Sequence, residues 1–279
     1  MMIHVADTCT ARIPPSIHMQ YSRDLLLANL TVLSPRSVGN TDGIDPDSCE
    51  DVLITDSYIS VGDDAISIKS DNITADGGAR VMVPTRNVTM RRLAIRSRNW
   101  CLGSSTFGGI YDILFEDSTI GDPADDPADP LSPVPWAIKF KSHEFFPGSI
   151  ENVTVRRVRI GTVAATPWMY PASRAKGAFG AFQLGLTYSG KPPKRSGTPY
   201  VRNVTFEDVH VVSSGFPGRV TGLPESCFDS LTFQNVTFGE TVASPKWVCA
   251  NVQHSSFVHD GVVPPFAECV NNNSAGTCA

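Results

Sequence analysis

The chain has 279 residues, a formal net charge of -5, 41% hydrophobic and 18% charged residues, the balance of a globular protein with one large domain or two small ones. Nothing in that charge provides a general basic footprint for nucleic acid, and no apolar run approaches the roughly 20 residues of a membrane span, so neither nucleic acid nor membrane is an expected partner. An acidic polymer would need a local cationic site.

In chain order, Met1-Met2-Ile3-His4-Val5-Ala6-Asp7 holds no signal-peptide core. One short phrase then recurs: Asp24-Leu25-Leu26-Leu27, Asp51-Val52-Leu53-Ile54, Asn87-Val88-Thr89-Met90, Asp112-Ile113-Leu114-Phe115, Asn152-Val153-Thr154-Val155, Asn203-Val204-Thr205-Phe206 and Ser230-Leu231-Thr232-Phe233. The starts are 27, 36, 25, 40, 51 and 27 residues apart, and the longer steps contain Pro/Gly-rich inserts such as Gly121 to Pro135 and Gly190 to Pro199. Alternating β-branched residues predict short strands, not helices. A repeat of roughly 25 residues with two or three strands is one coil of a parallel β-helix. A β-sandwich also has short strands, but it does not need the same polar–apolar phrase at every step. Stacked coils do. The Asn or Asp that opens the phrase then reads as a turn residue tolerating left-handed backbone, placed to form a side-chain ladder.

A single domain is expected over 1–279. Its last part, about 245–279, leaves the repeat with Trp247, Cys249, Pro264, Pro265, Cys269 and Cys278, and reads as a stapled C-terminal cap. No cap is visible before Asp24, which suggests a chain lacking its N-terminal coils and its natural start. Of seven cysteines, four cluster late (Cys227, Cys249, Cys269, Cys278), and N-x-S/T acceptors occur at Asn29, Asn72, Asn87, Asn152, Asn203, Asn235 and Asn272. Both features suit a secreted or cell-wall glycoprotein with disulfide bonds. Several acceptors sit on the repeat phrase, where the asparagine has a structural use.

Two segments carry the chemistry. Asn40-Thr41-Asp42-Gly43-Ile44-Asp45 holds one candidate carboxylate, Asp42, and Gly62-Asp63-Asp64-Ala65-Ile66-Ser67-Ile68-Lys69 holds an adjacent pair. Asp42 and Asp63 are 21 residues apart, close to one coil, which stacks them at about 4.8 Å. Carboxylates so placed raise one another's pKa, and a fold has little reason to gather three unless they bind a cation or do acid–base work. Inverting glycoside hydrolysis needs such a set: one carboxylic acid protonates the leaving oxygen, and another carboxylate about 6.5–9.5 Å away activates water. Turn aspartates can instead cap backbone groups, which is the reading for Asp45, Asp47 and Asp56.

The run Asn40 to Ser70 resembles the signature region of the pectin-degrading glycoside hydrolases of family 28, the polygalacturonases, with their Asn-Thr-Asp motif followed by Gly/Gln-Asp-Asp. Gly108-Gly109-Ile110, Ile150-Glu151-Asn152-Val153 and the stretch from Cys227-Phe228 to Trp247-Val248-Cys249 are similar to plant-type members, so the likeness covers nearly the whole chain. It implies an all-β, right-handed parallel β-helix that cleaves α-1,4-galacturonosyl linkages of pectin with inversion. It also implies an acidic polysaccharide (galacturonan) as partner, a monomer, and no cofactor or metal. Asp63 would be the general acid. Asp42 and Asp64 would position and deprotonate the attacking water, or Asp42 would hold Asp64 in the right state; coupled carboxylates resist individual assignment.

Two positions depart from the family pattern. A family Gly-His-Gly motif supplies a His beside the acid; aligning Gly103-Ser104 puts Arg98 there, as a uronate-binding cation or a solvated neighbour of Arg96. The family Arg-Ile-Lys motif falls on Lys139-Phe140-Lys141. Lys141 matches the Lys, and Lys139 replaces the Arg, keeping a cationic subsite but losing the bidentate fork. Both point to one face at period two. His143 and Glu144 show no metal-ligand spacing, and Trp136, Trp168, Tyr170 and Tyr188 serve as well for packing as for stacking on sugars. The altered positions leave a second possibility open, a catalytically impaired β-helix that binds acidic cell-wall polysaccharide. A calcium-dependent lyase fits the Asp-Asp pair poorly.

Overall fold

The computed structural model describes residues 2–4, 17–74, 80–122, 133–164, 179–188, 197–241 and 246–258. Trp168, Tyr170, Cys269, Asn272 and Cys278 lie outside them. Among the described residues the chain shuttles between two parallel sheets, of 11 and 8 strands, with one antiparallel hairpin formed by Asn72–Thr74 and Arg80–Met82. The long-strand sheet includes Glu50–Ser60, Thr85–Ile95, Ile110–Ile120, Ser149–Val163, Tyr200–Ser214 and Phe228–Thr241; the short-strand sheet includes Ile44–Asp47, Ile66–Ser70, Trp100–Thr106, Ile138–Ser142, Gly180–Gly185 and Phe216–Thr221. The strands of each sheet follow one another in chain order. The architecture is a parallel β-helix.

The repeat phrase sets its register. Leu25, Val52, Val88, Ile113, Val153, Val204 and Leu231 pair one to the next in a single column. Two residues on, Ile54, Met90, Phe115, Val155, Phe206 and Phe233 form a second column, all 0% exposed. Across the core, Ile66, Trp100, Ile138 and Phe182 stack from the short-strand sheet, and Trp100 lies flat on Phe115 with centroids 5.0 Å apart. Burying each such side chain contributes about 1.5–3 kcal/mol.

All seven phrase openers, Asp24, Asp51, Asn87, Asp112, Asn152, Asn203 and Ser230, have φ between 53° and 57°. Asn and Asp tolerate this left-handed turn better than most residues. Stacking it every coil builds a ladder, in which Asn87, Asn152 and Asn203 donate Nδ2 to Asp51, Asp112 and Asn152 at 2.5, 2.9 and 2.7 Å. A second left-handed column lies five residues on. There Arg92 pairs with Asp56, Arg157 with Asp117, and Asn235 donates to Asp208. Four N-x-S/T asparagines are thus bonded into the frame.

Residues 246–258, the described part of the expected cap, continue the pairing. Val248–Ala250 lies against Phe216–Thr221, and Val252–Gln253 and Ser256–Val258 lie against Phe228–Thr241. Trp247 packs on Phe182 and Phe233. Cys227 and Cys249 are disulfide-bonded, whereas Cys49 and Cys101 are free and buried. Among the described residues no helix is long and apolar enough to cross a membrane.

Candidate active site

The site lies on the outer face of the short-strand sheet. Asp42 sits in the turn before Ile44–Asp47; Asp63 and Asp64 sit one coil on, in the turn between Glu50–Ser60 and Ile66–Ser70. The two turns are stitched together. Gly43 N–H donates to Asp64 O at 2.9 Å and Ile44 N–H to Ala65 O at 3.0 Å. The Thr41 hydroxyl accepts from Gly62 N–H at 2.9 Å and donates to Val38 O at 2.8 Å. Neither motif glycine has room for a side chain: a Cβ would fall 2.4 Å from Ala65 O at Gly43, and 2.0 Å from Val38 O at Gly62. This contact brings oxygens of Asp42, Asp63 and Asp64 within 4.8 Å of one another.

Such a trio is a donor set for a cation, and the cations it meets are side chains. Lys141 pairs with Asp64. Lys69 bridges Asp42, at 3.3 Å, and Asp45. Arg98 Nη1 lies 3.1 Å from Asp63 Oδ2, which also accepts from Asn40 N–H at 2.8 Å. Lys139 stands beside Lys141 with its Nζ 4.5 Å from the Trp136 ring centre and 5.7 Å from that of Tyr188, a cation–π seat. The two lysines therefore flank Asp64, while Arg98 engages Asp63.

These contacts separate the protonation states. Burial, then the charge of Asp64, push the Asp42 carboxyl up to about 8. Burial also raises Asp45, to about 6, against the pull of Lys69. Asp64 moves the other way: burial opposes its charge, but Lys141, Lys139 and the hydrogen bonds from Lys141 and Asn99 outweigh it and hold the carboxyl below its ordinary value. At neutral pH Asp42 carries a proton and Asp64 a negative charge. Burial lowers the Lys139 ammonium, with Asp64 opposing.

Three residues of this constellation carry little mark in the sequence pattern. Asn99 is fully buried and donates Nδ2 to Asp64 Oδ1 at 2.8 Å. Its neighbours act in parallel: Arg98 N–H donates to Asp63 O at 3.1 Å, and Ser97 Oγ accepts from Val61 N–H at 3.2 Å. Only the coil register, which lays the Asn99 turn against the turn that carries Asp64 and Ala65, could have revealed it. Asp45 and Lys69 are the other two. Asp45 forms an ion pair instead of the backbone cap expected of it; Asp47 likewise accepts from His18 and Gln20, and Asp56 pairs with Arg92. Lys69 lies inside the second motif, in register with Asp47, and that outward column is its only signal.

Residues 12–80, which contain all three aspartates, match the family model of glycosyl hydrolases family 28. The chain is similar to a probable polygalacturonase of Vitis vinifera, 28% identical over 254 residues that cover 89% of this chain and 46% of that protein. Over 88 residues it is 36% identical to a polygalacturonase of Ralstonia nicotianae, covering 31% of this chain and 15% of that one. The chain thus spans less than half the length of these relatives. Among solved structures, a hyperthermoactive exopolygalacturonase from Thermotoga maritima superimposes with a TM-score of 0.63 at 19% identity, over 86% of this chain and 47% of that one. The polygalacturonase from Erwinia carotovora ssp. carotovora gives 0.60 at 20% identity, over 87% and 54%. These likenesses establish the fold as a right-handed parallel β-helix.

Proposed function

We propose that this chain, which carries the family 28 segment, is a glycoside hydrolase that cleaves α-1,4-galacturonosyl linkages of pectic galacturonan with inversion. The observation that carries the proposal is the meeting of Asp42, Asp63 and Asp64 beside two stacked-face lysines, Lys139 and Lys141. The lysines give an acidic sugar its counter-charge. Asp63 is the general acid toward the glycosidic oxygen. Asp64, kept ionised by Lys141 and Asn99, removes a proton from the attacking water. Asp42 keeps its proton, hydrogen-bonds that water and spares Asp64 a second negative neighbour. The trio is tighter than the about 6.5–9.5 Å usual between inverting carboxyls, so the anomer first released, read by NMR, is a direct check on the stereochemistry.

The acceptor motifs and the bonded Cys227 and Cys249 support a secreted or cell-wall location, and the action of a monomer on polysaccharide needs no cofactor. A second reading, a galacturonan-binding protein with impaired catalysis, is favoured by one contact: Arg98 occupies the acid's Oδ2. Release of reducing ends from polygalacturonate, unaffected by chelator and without unsaturated uronides, supports the hydrolase. Binding without any product supports the binder.

A further inference from the structure

The turn Ser97-Arg98-Asn99 treats the two aspartates beneath it differently. Asn99 gives Asp64 a neutral donor. Arg98 gives Asp63 a cation, and Asp63 is the group that has to deliver a proton in the proposed reaction. Guanidinium and Asn40 amide converge on the same oxygen, Oδ2, at 3.1 and 2.8 Å. The guanidinium is seated there by a fitted slot: a Cβ on Gly39 would come within 3.3 Å of Arg98 Nη2, and the Arg98 main chain is pinned to Asp63 O. Among the described residues, the other charged or titratable groups facing Asp63 are Asp42 and Asp64, with Lys139 and Tyr188, both of which feel its charge. Lys139 is already engaged by Asp64 and the Trp136 ring.

We propose that Arg98 is a positioning residue that couples arming of the acid to the arrival of an anionic sugar: the carboxylate of the bound uronate takes the guanidinium from Asp63, and Asp63 then takes up a proton. This rests on the hydrolase reading of the site. The guanidinium keeps its charge throughout and exchanges one carboxylate for another, in the forked geometry that favours Arg. The proton comes from solvent, passes from Asp63 to the departing glycosidic oxygen, and is balanced by the proton that Asp64 removes from the attacking water and returns to solvent. A methyl-esterified sugar has no anion to offer, so the pair stays closed and the acid stays unarmed. Discrimination between free and esterified galacturonan at this subsite therefore resides in Arg98.

Titration calorimetry of a short oligogalacturonate in buffers of different ionisation enthalpy reads the coupling without turnover, in an Asp64→Asn background. Binding of the free acid is expected to take up about one proton, and binding of its methyl ester none. Adding Arg98→Gln abolishes this difference; Arg98→Lys, which keeps a movable cation, retains it and excludes misfolding as the cause. In otherwise unaltered protein, Arg98→Gln narrows the kcat/KM preference for polygalacturonate over its methyl ester by about tenfold. Equal proton uptake with and without Arg98, or an unaltered preference in a hydrolytic protein, overturns the coupling and leaves the hydrolase reading standing. Arg98-dependent uptake in a protein that releases no reducing ends overturns the hydrolase reading, and with it the arming role, and leaves only the exchange of carboxylates on Arg98. No binding of either oligomer overturns both.

Discussion

Asn99 holds Asp64 from a turn 35 residues further along the chain, with a 2.8 Å hydrogen bond to Oδ1, while Lys141 holds the other oxygen. The first contact sets the orientation of the carboxylate and the second its charge. Replacing Asn99 by Ala removes the neutral donor and leaves the ion pair. Its expected effect is a fall in kcat of about tenfold to a hundredfold with little change in KM, measured by reducing-end release. An equal rise in KM would mean that Asn99 serves binding instead.

Asp63→Asn keeps the hydrogen-bonding shape but cannot give up a proton. The rate on polygalacturonate is expected to fall by about 10²–10⁴, with the circular dichroism spectrum and thermal midpoint close to wild type. A variant at full rate would move the acid role to Asp42.

Asp42 makes the stability of the fold pH-dependent. Its carboxyl binds a proton more tightly when folded, up to about 8, than in the unfolded chain, near 4. The folded state is therefore favoured at low pH, and that advantage is lost as pH rises between the two values. Asp45 acts with the same sign, but only to about 6; the interval from pH 6 to 8 belongs to Asp42. Asp64, held below its ordinary value, has the opposite sign and matters only in acid. Urea midpoints of the wild type are expected to decline from pH 6 to 8, and those of Asp42→Asn to stay flat. Parallel slopes for the two proteins would contradict this assignment.

Lys139→Arg restores a forked cation where Lys139 now lies against Trp136. Arg stacks on the same ring face and grips a carboxylate with two donors. KM for polygalacturonate is expected to fall about threefold to tenfold, at nearly unchanged kcat. An unchanged KM would mean that no uronate carboxylate rests on residue 139.

The frame was legible because its signal repeats. Val52, Val88, Ile113, Val153, Val204 and Leu231 each follow an Asn, Asp or Ser, and the chain stacks them in that order. The spacing of Asp42 and Asp63 predicted neighbouring turns for the same reason. The partners of these aspartates were harder to see. Asp45 and Lys69 belong to different strands of the face, and Asn99 reaches Asp64 from a coil lengthened beyond the mean repeat. Pairings of that kind depend on which outward columns face one another across a turn, and a period along the chain does not report it. Arg98 was visible as a replaced position; its grip on Asp63 was not.

The stacked column also shows what the frame does not measure. Successive members lie 25 to 51 residues apart in sequence, yet each pairs with the next in unbroken register. The cost of closing a longer loop grows only with the logarithm of its length, so segments between strands can lengthen without shifting a coil. The walls around a strand face can then be rebuilt by insertion while the floor that holds the carboxylates keeps its geometry. In this architecture, change in what is recognised and change in what is cut are separable events.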